Sequence, residues 1–506
     1  MQKSEEFKIM NNAKKTYINF IVTFLSQVIL IVFGLIVPRI FLINYGSDTN
    51  GLISTISQIF TYMALLESGI TLATKKALYR PIVENDKNGI SYYMSITKRY
   101  YKKIAYIYLS VVLILSFIIP LILKSNVNYW SIVIYFFFEG LTGVVSFYFI
   151  NTWNCLLSSD GKSYITTIIF LFSRILMFSL KILLAILSLN IALIQVGFFG
   201  ISLLQLVFYY YYMKKKYNWI DYNVAPKDAK LPDRNPLIIS EIAWTIFSST
   251  DMIILSIFVS TSLSSVYSIY NMVFVAINGL MSSIYSSLLY NLGQAYSADI
   301  EKYKKMHDIY NSFCLGVMTA LMCVTYILII PFVKLYTLGV DDINYIYYWL
   351  PLFLCTVQVL SWSRQVAGNL IVLSGRSKYA VKINVLEAMT NIILSLIFVY
   401  FWGINGVALA TVLALPLKVV YNNYVADILV LKRKPFRTII IIGTNFLIFA
   451  STIIFSNFFT LNIDNYLWFI IWGIVLSLFF LFLSFVLNCI ANKNLLLIFK
   501  ILKKKE

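Results

Sequence analysis

Charge is what this sequence has least of. Asp, Glu, Lys and Arg make up 12% of its 506 residues, against 60% hydrophobic and 17% aromatic, and the mean hydropathy is +0.79. Soluble domains are about one-quarter charged, so this chain does not wrap a single aqueous core. Histidine occurs once, at His307 in "SADIEKYKKMHDIY". One such residue leaves no histidine-based metal site or catalytic triad. The five cysteines (Cys155, Cys314, Cys323, Cys355, Cys489) sit in apolar segments with no CxxC spacing and read as small packing residues. Sustained apolar/polar alternation is also missing, which excludes a β-barrel.

Apolar runs of about 20 residues recur from end to end, each long enough to cross roughly 30 Å of hydrocarbon as a helix. Fourteen spans are predicted: 17–43, 52–74, 102–123, 130–157, 164–189, 192–213, 237–260, 265–290, 310–333, 345–373, 379–402, 404–428, 438–459 and 466–490. The first follows Lys14 and Lys15 but is too long for a signal-peptide core and has no small-residue cleavage site, so it reads as a retained span.

The formal net charge of +19 would suggest nucleic acid in a soluble protein. Its distribution points elsewhere. Of 41 Lys and Arg, 34 fall in the amino terminus, the carboxyl tail and alternate loops, and only Lys124 and Lys334 fall in the opposite loops. This asymmetry puts both termini in the cytoplasm and makes most of the charge a collar facing anionic lipid, with no nucleic acid as partner. Tyr129, Trp130, Trp349, Trp402, Tyr466 and Trp468 fall at the predicted outer ends, where amphipathic rings are expected. The outer loops are short, unlike those of membrane polymerases and ligases that carry their chemistry on a large external loop.

The two halves of the chain resemble each other. "LLSSDGKSYITTIIFLFSRILMFSLKILLAIL" follows span four, and "IVLSGRSKYAVKINVLEAMTNIILSLIFVY" follows span ten. Gly161 and Gly375 are 214 residues apart, and Pro120 and Pro331 are 211 apart. A near-constant offset with matching span order predicts a duplicated six-helix unit, its copies related by an axis along the membrane normal. The expected organisation is an N-lobe over 1–213, a proline-bearing cytoplasmic linker over 214–236, a C-lobe over 237–430, and two added spans with a basic tail over 431–506. The fold class is thus all-α and polytopic, with fourteen transmembrane helices as two six-helix pseudo-repeats around a central cavity plus two extra helices. "SSDGKS" ends like a phosphate-binding loop, but G-x-x-x-x-G-K-[ST] requires glycine where Leu156 stands, so it reads as a turn between helices. No cofactor is implied.

Particular strings resemble the polysaccharide transporter (oligosaccharide-lipid flippase) family. This family lies within the multidrug/oligosaccharidyl-lipid/polysaccharide (MOP) exporter superfamily, which also holds multidrug antiporters and the lipid II flippase. They are "VPRIFLINYGSDTNGL", with Pro38, Arg39, Tyr45, Gly46, Gly51 and Leu52; "LLESGITLATKKAL", with Glu67 and Gly69; and "SGRSKY". The resemblance covers the whole chain, though each motif alone is loose. It implies a transporter rather than an enzyme, moving undecaprenyl-diphosphate-linked oligosaccharide across a bacterial plasma membrane for capsule or other surface glycans. The polymerase and glycosyltransferases of such a pathway are possible partners, and the chain is expected to be a monomer.

Five basic residues lie inside predicted spans: Arg39, Arg174, Lys181, Arg364 and Lys418. A charge at the bilayer centre costs at least about 2.5–3.5 kcal/mol, so each requires a partner, water or a function. Arg174 and Lys181 are almost two turns apart and project from one face, roughly 15 and 25 Å from the inner end. Two cations at different depths suit a diphosphate, which Arg holds bidentately and Lys attracts as a point charge. Arg39 and Arg364 join them as diphosphate candidates. Salt bridging is the competing reading, with Glu139 matched in depth to Arg174 and Glu387 to Arg364, while Lys418 and Arg39 are placed to snorkel.

Glu67, Asp251, Glu139, Glu387 and Glu241 are candidates for ion coupling or switching, driven by protons, sodium or membrane potential. Glu67 and Asp251 come first because neither has an obvious basic partner at equal depth. Gln27, Tyr62, Tyr270, Asn271 and Asn278 offer hydroxyl and amide groups for sugar, or equally for polar packing between helices. An ion-coupled multidrug or metabolite antiporter on the same fold is the principal alternative. A membrane polymerase or glycosyltransferase is disfavoured by the short outer loops and the lack of a convergent acid/base set.

Overall fold

The computed structural model describes residues 2–67, 69–226, 237–456, 461 and 463–497. All regular structure among them is helical. The chain divides into two compact units, Met1–Glu241 with Ser260–Ser262, and Ile242–Val259 with Leu263–Glu506.

The first unit contains α1 (Gln2–Ala64), α2 (Ile70–Glu84), α3 (Lys87–Ile122), α4 (Tyr129–Val145), α5 (Asn151–Ser159), α6 (Ser163–Ile186) and α7 (Ile191–Lys216). The sequence marks where several begin. Asp86, Asn128 and Asn190 each accept a hydrogen bond from a first-turn backbone N–H, at 3.0, 3.0 and 2.9 Å. Each satisfies a donor that the helix leaves unpaired. α7 ends on Lys214, Lys215 and Lys216, the sign of charge that its carbonyl end favours. Packing relies on small residues: a Cβ added at Gly140 of α4 would lie 2.4 Å from Val112 of α3. Such close approach is how helices associate where the solvent is itself apolar.

The second unit contains α8 (Leu237–Phe258), α9 (Thr261–Ala298), α10 (Ile300–Tyr336), α11 (Trp349–Ser363), α12 (Gln365–Leu373), α13 (Ser377–Tyr424), α14 (Phe436–Ser456) and α15 (Tyr466–Ala491). α8 enters it at Ile242 and α9 at Leu263. Asp299 and Asn465 cap α10 and α15, accepting from Glu301 N at 2.8 Å and Trp468 N at 2.9 Å. α15 docks on α14 and α10 through a buried polar seam. Asn488 and Asn445 exchange amide hydrogen bonds at 2.9 and 3.2 Å, and Ser484 donates to Gly316 O at 2.8 Å. On its other side α15 is apolar and exposed, with Leu467, Phe482 and Ile490 all more than 60% accessible. An apolar exterior of this extent suits hydrocarbon, not water.

Ten helices among the described residues are long and apolar enough to cross a membrane, so the chain is a multi-pass membrane protein. The count is lower than fourteen for identifiable reasons. Predicted spans one and two lie in α1 and are interrupted only at Gly46 (φ 76°, ψ 179°), and spans eleven and twelve lie in α13, interrupted at Gly403 (φ 52°, ψ −126°). Predicted span ten is split by Arg364 into α11 and α12, and α8 counts only as a shorter apolar helix.

The segment expected to be a linker is folded over its first part. Ile220 is buried among Leu78, Met94 and Tyr209, and Ala225 O accepts from Arg99 at 3.0 Å. Residues 227–236, the rest of that segment, lie outside those described.

The two glycine turns have the same construction. Gly161 and Gly375 are left-handed, at φ 69° and 73°. Lys162 N donates to Leu157 O at 2.8 Å and Gly161 N to Ser158 O at 3.3 Å. Arg376 N donates to Ile371 O at 3.0 Å and Gly375 N to Val372 O at 3.1 Å. This is a Schellman closure, for which glycine is favoured because it meets no Cβ penalty. The corresponding atoms are 214 residues apart throughout. In the first turn Lys162 Nζ is bound by Asp160 at 2.6 Å and Tyr217 at 2.9 Å. Burial opposes its charge, but these hydrogen bonds outweigh it and raise the pKa above the usual lysine value.

Candidate functional site

The buried charges form two dissimilar arrangements, one in each unit. In the first, α6 carries both Arg174 and Lys181. Lys181 is buried, its Nζ 4.0 Å from the ring centre of Phe198 and 3.5 Å from the Tyr135 hydroxyl. Arg174 is half-buried between two rings of its own helix, 4.9 Å from Phe170 and 5.9 Å from Phe178. Ring faces attract cations but do not neutralise them.

Among the described residues, Glu139, the carboxylate matched in depth to Arg174, forms a salt bridge with neither cation. The Glu139–Arg174 pair of the competing salt-bridge reading does not form; instead Glu139 Oε2 accepts from Gln195 Nε2 at 2.5 Å. Gln195 of α7 is fully buried, so the carboxylate is held by a neutral amide. Sequence reasoning passed over Gln195, although a glutamine in an apolar span was a usable signal.

In the second unit, Glu387 of α13 gathers two cations. Lys418 Nζ donates to its Oε2 at 2.6 Å, and Arg364 Nη2 stands 3.4 Å from Oε1. All three side chains are buried, and both cations face the Trp244 ring, at 5.7 and 5.9 Å. Arg364–Glu387 was anticipated from matched depth. Lys418 was expected to snorkel; instead it pairs, because the single turn at Gly403 brings the two arms of α13 together. Two cations on one carboxylate leave an excess positive charge in this unit also, so a cation pair is not confined to one half of the chain.

A third cluster is acidic and polar. Asp251 of α8 is buried and accepts from Tyr267 of α9 at 2.7 Å and from Thr411 of α13 at 3.5 Å. Asn391 donates to Thr411 at 2.9 Å. Among the described residues, Asp251 Oδ1 and Asn391 Oδ1 both lack a hydrogen-bond partner. A buried carboxylate oxygen without a hydrogen-bond partner is a group able to take up a proton.

The remaining predicted residues are spread over both units. Glu67 accepts from Asn151 at 2.6 Å, at the break between α1 and α2. Arg39, Gln27 and Tyr62 are half-buried on α1, and Asn271 is half-buried on α9. Tyr270 is fully buried, and its hydroxyl donates to Tyr345 O at 3.0 Å and accepts from Tyr347 N at 3.1 Å, pinning the segment after α10. Asn278 bonds Gln358 at 2.7 Å and Trp362 at 2.9 Å, joining α9 to α11. The Glu241 side chain lies outside the described residues. Among the described residues, no group of three or more His, Cys, Asp or Glu could hold a metal ion.

No family model matches the sequence, and no curated protein matches it. Solved structures do. A lipid II flippase, MurJ, in an inward closed conformation superposes with a TM-score of 0.69 at 16% identity, over 94% of this chain and 99% of that one. A multidrug resistance MATE family transporter of the MOP superfamily, facing inward, gives 0.66 at 14% identity, over 82% and 99%. A MOP superfamily transporter from Pyrococcus furiosus, described as having a binding pocket of reverse polarity, gives 0.55 at 13%, over 84% and 97%. The fold is the one these solved structures share: that of a lipid II flippase and of transporters described as members of the MOP superfamily.

Proposed function

We propose that this chain is a flippase that moves undecaprenyl-diphosphate-linked oligosaccharide from the inner to the outer leaflet by alternating access, supplying capsule or another surface polysaccharide. The observation that carries this reading is Arg174 with Lys181: two cations on one face of α6, inside the first unit, with no salt bridge to either among the described residues. Such charges are costly in an apolar interior unless an anion comes to them, and a diphosphate is an anion matched to both. Arg39 is a further cation near the outer end of span one, and Arg364 provides a second station if substrate loosens it from Glu387. Gln27, Tyr62 and Asn271 keep partial exposure and are the sugar-contact candidates.

Asp251, with Tyr267, Thr411 and Asn391, is the coupling site for a proton or sodium ion, and Glu67 and Glu139 are its alternates. An apolar cavity of about 490 Å3 on the added helix pair, lined by Phe455, Trp472, Phe479 and Leu483, is suited to a polyprenyl tail. In this reading the chain crosses the membrane fourteen times, as two six-helix halves plus an added pair, with both termini cytoplasmic. An ion-coupled multidrug antiporter is the second reading. The acid-and-hydroxyl cluster at Asp251 favours it, since such a cluster serves cation exchange equally well.

The deciding experiment reconstitutes the full chain in proteoliposomes and follows flipping of defined lipid-diphosphate sugars, with and without proton and sodium gradients. Flipping of these lipids supports the flippase. Ion-driven export of organic cations without lipid flipping supports the antiporter.

A further inference from the structure

One cavity takes no part in the arrangements above. It measures about 520 Å3 and lies in the first unit, among α3, α5, α7 and the segment that follows α7. Its end of the unit is the one that the positive-inside rule puts in the cytoplasm. Three lysines line it: Lys98 and Lys102, one turn apart on α3, and Lys214 at the end of α7. Among the described residues none of them makes a salt bridge, and no acidic side chain lines the cavity. Each ammonium lies instead against an aromatic face, Lys98 at 4.3 Å from Tyr222, Lys102 at 5.7 Å from Tyr148 and Lys214 at 5.9 Å from Tyr210.

The rim is apolar on one side. Phe149 and Tyr210 are 39% and 56% exposed, and Tyr106, edge-on to Tyr148, is 55% exposed. A soluble anion has no use for such a rim, whereas a lipid does.

We propose that this cavity binds the phosphate headgroup of an anionic phospholipid of the inner leaflet, with its acyl chains along Phe149, Tyr106 and Tyr210. The three lysines supply charge, and the rings orient them. Basic cavities between membrane helices on the cytoplasmic side recognise lipid phosphates in this way. The site is separate from Arg174 and Lys181, neither of which lines it.

The test uses the full chain in nanodiscs of phosphatidylcholine containing a minor fraction of phosphatidylglycerol, with retained lipid counted by native mass spectrometry after detergent exchange. Wild-type protein is expected to retain phosphatidylglycerol, and the Lys98→Gln, Lys102→Gln, Lys214→Gln variant to lose it by about tenfold or more. The control variant Lys302→Gln, Lys305→Gln, Lys382→Gln, which removes the same charge from the second unit, is expected to retain it. Equal retention by the two triple variants overturns the proposal. Displacement of the lipid by inorganic phosphate would assign the cavity to a soluble anion. Displacement by stoichiometric lipid-diphosphate would assign it to cargo. Either result overturns the assignment.

Discussion

Lys418 donates to Glu387 at 2.6 Å across the fold of α13, 31 residues apart in sequence, and both side chains are buried. The same carboxylate stands 3.4 Å from Arg364. Glu387 thus pairs with two buried cations. Replacing it with Gln leaves like charges facing each other in an apolar interior, at an expected cost of about 3–5 kcal/mol. Thermal unfolding in detergent checks this, and Lys418→Met in the same chain is expected to restore part of the loss.

Arg174 and Lys181 are expected to behave in the opposite way. With no salt bridge to break among the described residues, Lys181→Met should leave the melting temperature unchanged or raise it. The double variant Arg174→Ala with Lys181→Ala should insert normally. Its flipping rate for lipid-diphosphate sugars should fall by about 30-fold or more, the factor that about 2 kcal/mol of lost charge recognition implies. Normal surface polymer in cells carrying this variant would remove the diphosphate assignment.

Asp251 offers a test that separates coupling from cargo. Asp251→Asn preserves shape and the hydrogen bonds from Tyr267 and Thr411 but removes the charge. Transport should lose its dependence on the proton or sodium gradient, while binding of lipid-diphosphate sugar persists. Retained gradient dependence would move the coupling role to Glu67 or Glu139.

The added helix pair is held by Asn488, which meets Asn445 and Ser484 around Gly316. Asn488→Leu strands these buried partners and should cost about 1–2 kcal/mol, seen as a lower melting temperature.

Gly375 isolates the cost of the turn itself. A Cβ there meets nothing within 4 Å, but the backbone is left-handed. Gly375→Ala should therefore destabilise by about 1–2 kcal/mol through backbone strain alone. Gly161→Ala is expected to match it.

The sequence by itself determined the features that depend on near neighbours along the chain. Long apolar runs dictate helices that satisfy their own backbone in hydrocarbon, and Gly161 and Gly375 mark equivalent turns. The stretch 168–187 already showed two cations on one helical face, because the 3.6-residue period fixes direction around a helix. It could not show what lies opposite that face. Only the tertiary structure gave Glu139 to Gln195 instead of Arg174, joined Lys418 to Glu387, and left Asp251 Oδ1 unbonded. The physical reason is that depth along a helix is readable from residue counts, whereas azimuth relative to another helix depends on packing. Whether a buried charge is neutralised turns on a few ångströms between helices that the sequence does not order.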